Sequence, residues 1–102
     1  MNILQIKNGK VEIRKDEGNI LVRTIGNGDA ISTDFNNDQS IIVITTKNGK
    51  VEIRKNNGNL IRTIGNGDAI NARYYGSDII ITTKSGKNEL RNSNNGSLIR
   101  TI

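Results

Sequence analysis

The sequence predicts an all-β protein built from four-stranded antiparallel sheets repeated along the chain. Three observations carry this. The chain repeats itself: residues 9–15 and 49–55 both read GKVEIRK, and residues 23–31 and 62–70 both read RTIGNGDAI. A third, more divergent copy follows, with GKNELRN from Gly86 and LIRTI from Leu98. The opening glycines stand at 9, 49 and 86, which is the signature of a repeat architecture. The second observation is period two. Val11-Glu12-Ile13-Arg14 alternates apolar and polar, and no long window carries a helical stripe. The third is punctuation: all 11 glycines fall between apolar runs and none inside one.

The elements follow in order. Residues 2–7 and 10–15 flank Asn8-Gly9, a dipeptide that accepts positive φ at both central positions of a type I′ hairpin. Residues 20–25 end at the Gly-Asn-Gly-Asp turn, and residues 30–35 begin after it. Residues 41–47 are β-branched and apolar before turning polar at Thr-Thr-Lys. Asn48-Gly49 should turn them into residues 50–55 as a second type I′ hairpin. Residues 60–64, 69–75, 79–84, 87–92 and 98–102 repeat the cycle, with Ser85-Gly86 in the role of Asn-Gly. Adjacent strands should pair as a meander. A four-stranded sheet cannot dry both faces alone, so it must stack on its copies.

Composition excludes several chemistries. There is no cysteine and no histidine, hence no disulfide, no thiol nucleophile, no Ser-His pair and no metal site with thiolate or imidazole ligands. No cofactor or metal is expected. The longest apolar run, Ile41 to Ile44, is far below a membrane span, and no membrane partner is expected. The net charge is +5, which favours anionic partners by long-range attraction. No block of like charges builds a basic tail, so nucleic acid is not expected as a partner. A cytoplasmic location is the default expectation.

Residues 29–68 resemble a WD-type β-propeller repeat. Asp29-Ala30-Ile31 fits the start of the innermost strand, Asn48-Gly49 the Asp-Gly turn, and Leu60 to Ile64 the outer strand. Arg14, Arg54 and Arg91 stand where that family has tryptophan, Lys15, Lys55 and Asn92 where it has aspartate, and Asn27 and Asn66 near its histidine. The family's buried His-Asp-Ser-Trp network therefore cannot form. A β-prism or β-solenoid is the competing β-repeat architecture. The resemblance implies a β-propeller-like fold with blades running from inner strand a to outer strand d. The chain then divides into a partial blade at 1–25 and blades at 26–64 and 65–102. Not quite three blades cannot close a ring of 4–8. The expected partner is a second copy, in a head-to-tail dimer, with a trimer as the alternative.

Candidate site residues follow from the resemblance, which places ligands on the face holding the d–a and b–c turns. These are Asn27, Asp29, Asn66 and Asp68, with Lys47, Lys50, Lys84 and Lys87 flanking the hairpins and Lys7 and Lys10 beside them. Arg73 and Tyr74, at the end of an inner strand, complete the set. The repeated Glu12/Arg14, Glu52/Arg54 and Glu89/Arg91 read as an exposed charge ladder between neighbouring strands. The expectation is a non-catalytic module, a scaffold for protein partners. A binder of a small anion in a basic annulus and a lectin using the Asn and Asp turns are the alternatives.

Overall fold

The computed structural model describes residues 1–102 and contains eleven strands and no helix. They are β1 (Ile3–Lys7), β2 (Lys10–Lys15), β3 (Ile20–Ile25), β4 (Ala30–Phe35), β5 (Ile41–Thr46) and β6 (Val51–Lys55). The rest are β7 (Leu60–Ile64), β8 (Ala69–Tyr75), β9 (Asp78–Thr83), β10 (Asn88–Arg91) and β11 (Leu98–Thr101). Each expected strand is present, with ends displaced by a residue or so. Three antiparallel sheets result: β1-β2-β3, β4-β5-β6-β7 and β8-β9-β10-β11. We refer to them as the first, second and third sheets. The first has no counterpart of the inner strands β4 and β8.

Alternation decides which face is dry. In the first sheet Val11, Ile13 and Ile25 turn toward the second, where Ala30, Ile42 and Ile44 meet them. Val43, Val51, Ile53 and Ile64 leave the opposite face of the second sheet and pack on Ala69, Ala72, Ile79 and Ile81 of the third. The core is thus two apolar layers between three stacked sheets. Short β-branched side chains fill the pleat without aromatic bulk.

Irregularities repeat with the sequence. A bulge interrupts the pairing at Ile13/Arg14, Ile53/Arg54 and Leu90/Arg91. It leaves Val22, Ile61 and Ile99 unpaired on the outer strands, and all three are exposed. The inner strands bulge between Ala30 and Ser32 and between Ala69 and Asn71, exposing Ile31 and Ile70.

Two expectations are corrected. Only Asn8-Gly9 forms the two-residue turn with positive φ at both centres, 54° and 76°. At the second hairpin Thr46 pairs with Lys50, so the loop has three residues and Gly49 alone carries positive φ. The third, closing Thr83 on Lys87, is built alike around Gly86. The physical reason is the inner strand. Lys47 N donates to Asp29 O at 2.8 Å and Lys84 N to Asp68 O at 2.9 Å, which holds the wider loops open. The first sheet has no inner strand to offer that carbonyl.

The second correction concerns the Glu and Arg residues. They form no exposed ladder between strands. Each arginine bonds the glutamate two residues before it on its own strand, Nε to Oε1 at 2.9 Å in all three copies. A second guanidinium nitrogen donates to the carbonyl of Gly18, Gly58 or Gly96 in the following turn. Pairing parity puts the second and third of these ion pairs on the face their sheet turns toward the preceding one, and the first on the outer face of the first sheet. All three are largely buried.

Candidate functional site

The sheets fix two ends. At one end the d–a turns, residues 26–29 and 65–68, sit against the b–c hairpins. Gly9 O accepts from Ala30 N at 2.8 Å, and Gly49 O from Ala69 N at 3.1 Å. The approach is so close that a methyl group on Gly9 would stand 2.1 Å from Gly28 O, and one on Gly49 2.2 Å from Gly67 O. This end collects Asn27, Asp29, Asn66, Asp68, Lys47, Lys50, Lys84 and Lys87. The lysines are exposed and none enters an ion pair. Asp68 Oδ1 is buried without a hydrogen-bond partner.

Arg73 and Tyr74 do not join that group. Five residues of extended chain separate Ala69 from Tyr74, about 17 Å. The two side chains also part from each other. Arg73 lies opposite Ile80, on the free face of the third sheet, while Tyr74 lies opposite Ile79, toward the second. Tyr74 is half-buried. Burial first, then the Asp34 carboxylate, pushes its phenol up to about 12, so it stays a neutral O–H donor. Asp34 Oδ2 also accepts from Tyr74 N at 2.8 Å and ties neighbouring inner strands together.

The far end holds the clefts. One, of about 310 Å³, opens between the second and third sheets, floored by Ile41, Ile53 and Ile61 and walled by Tyr74 and Arg62. The equivalent cleft between the first and second sheets measures about 130 Å³. Its corresponding walls are Ile13, Val22, Arg23 and Phe35, and Gln39 enters it. The Gln39 side chain accepts from Asn2 N at 3.0 Å and donates to Asn2 O at 2.9 Å. A carboxamide thereby pairs with the backbone just before β1, where an inner strand would otherwise pair. In the second sheet the corresponding backbone is already taken: Ile41 O accepts from Asn36 N, and Ile41 N donates to Asn36 Oδ1, both at 3.0 Å. Sequence reasoning missed Asp34, Gln39 and Arg62. The unequal turns, five residues at 36–40 and Gly76-Ser77 in the third copy, were the available signal.

No group of three or more Asp or Glu side chains converges closely enough to hold a metal ion. The arrangement offers hydrogen bonding and charge.

No protein-family model and no curated protein matches the sequence. Solved structures do match. BamB from Moraxella catarrhalis superposes with a TM-score of 0.76 at 19% identity, over 99% of this chain and 32% of that one. The WD40 domain of Neurospora crassa Pan2 gives 0.76 at 12% identity, over 99% and 32%. The C-terminal WD40 domain of Sif2 gives 0.69 at 14% identity, over 94% and 31%. The three sheets are WD-repeat-like β-propeller blades, and the chain spans about a third of the length of the structures it matches.

Proposed function

We propose that the chain is a non-catalytic binding module that closes into a homo-oligomeric propeller and serves as a scaffold for protein interaction. The WD40 likeness supports the scaffold kind of fold. Repetition of the inter-blade contact supports closure. Gly58 in the c–d turn of the second blade receives Ile25 of the first, and Gly96 of the third receives Ile64 of the second. Those isoleucines are 6% and 5% exposed. Their counterpart Ile102 is 66% exposed, and the counterpart glycine Gly18 meets only Ile3 of its own blade. A second copy placed head to tail sets Ile102 on Gly18, and the returning contact closes the ring. Two copies give six blades, within the range of roughly 4–8, whereas three exceed it. The outer strands add partner surface, with Leu21-Val22, Leu60-Ile61 and Leu98-Ile99 exposed on successive blades.

Native mass spectrometry tests this. The expected species is a dimer, and Ile102→Lys should convert it to monomer while leaving the β-type circular dichroism unchanged. A monomer in the parent protein at micromolar concentration rejects ring closure. A second reading, capture of a small anion, is favoured by the unpaired lysines gathered at one end. It requires binding of inorganic phosphate that weakens steeply with salt.

A further inference from the structure

We propose that the cleft between the second and third blades is a binding site for a neutral saccharide ring. The two inter-blade clefts have related walls, with Asn2 in the first where Ile41 stands in the second, yet they differ in size. Gln39 lines the first and leaves it about 130 Å³; the second is bordered by the shorter Gly76-Ser77 turn. At about 310 Å³ it reaches the lower end of the range of roughly 300–1,000 Å³ for small-ligand sites.

Its chemistry selects the ligand. A pyranose presents an apolar C–H face and a rim of hydroxyls that each donate and accept. The cleft answers with an apolar floor of three isoleucines, the Tyr74 ring, and carboxamides at Asn37 and Asn94 that can both donate and accept. Replacing the Phe35 of the first cleft by Tyr74 adds an O–H that bonds no other residue of the chain. The lining holds one cation, Arg62, and one carboxylate, Asp38. Asp38 Oδ1 accepts from Ser40 N and Ser40 Oγ. One positive and one negative group leave no net field to favour an ion, while both can serve a neutral polyol.

The test is a titration followed by amide NMR. The probes are glucose, galactose, mannose, N-acetylglucosamine and their disaccharides, with inorganic phosphate as the anionic arm. At least one sugar should move the Tyr74, Gly76, Ser77 and Asn94 amides saturably, in the millimolar range. Tyr74→Phe should weaken that binding about tenfold, the loss of one hydrogen bond. Ser77→Trp, in the lining, should occlude the cleft and abolish it. The proposal is overturned if no sugar gives saturable shifts. It is equally overturned if phosphate moves these amides at lower concentration, or if the sugar shifts map to the lysine-bearing end. Ring closure is read from mass and is independent of these outcomes.

Discussion

The arginine of each repeat does by electrostatics what a large aromatic would do by area. Its stem lies along the sheet, its Nε neutralises a glutamate, and its fork closes on the next turn's carbonyl. Burial grades the three copies: the Arg91 side chain is 10% exposed, Arg54 13% and Arg14 22%. Truncating one partner strands a desolvated carboxylate. Arg91→Ala should therefore cost about 3 kcal/mol. Arg14→Ala, on the uncovered face, should cost about 1–2 kcal/mol. Urea unfolding of the dissociated chain measures both, and equal losses there contradict the role given to the covering blade. Tyr74 gives a second residue-scale prediction. Its phenol is raised from 10.0 to about 12 in the folded chain. The native state therefore holds its proton where the unfolded chain has released it. The associated stability is complete below pH 10 and is lost as pH rises toward 12. Tyr74→Phe should flatten that part of the melting-temperature profile relative to the parent. Parallel profiles would contradict it.

At the scale of the element, the b–c hairpins show identical sequence doing different things. Lys-Asn-Gly-Lys makes a two-residue turn in the first blade and a three-residue loop in the second, because only the second has an inner strand to bond. Gly49 is required twice, by its φ of 81° and by the Gly67 carbonyl against its α-carbon. Gly86 has the same conformation with nothing within 4 Å. Gly86→Ala should lose only the left-handed penalty, about 1–2 kcal/mol. Gly49→Ala should lose several times more, since backbone cannot retreat as a side chain can. Thermal melts of the two variants compare them directly. The strands were legible in the sequence because alternation and glycine punctuation are local. The ion pairs were not. Glu52 and Arg54 look like any solvated pair until the register shows that they lie beneath a neighbouring blade.

At the scale of the molecule, the repeat leaves one face of the first blade and one face of the third unmatched, and the self-association proposed above follows from that. The sequence by itself determined the all-β class, the eleven strands and where the chain turns, since each depends on residues adjacent in the chain; the form of the second and third hairpins was decided by the inner strands. It also suggested the propeller through the Asp-Ala-Ile and Asn-Gly positions of one repeat. Only the tertiary structure decided which polar residues meet. Asp34 reaches Tyr74 and Gln39 reaches Asn2 across separations of 40 and 37 residues. It likewise separated Tyr74 from the lysines and made one cleft about 310 Å³ and its twin about 130 Å³. A cavity is set by what neighbouring segments fail to fill, and that depends on how sheets distant in sequence stack.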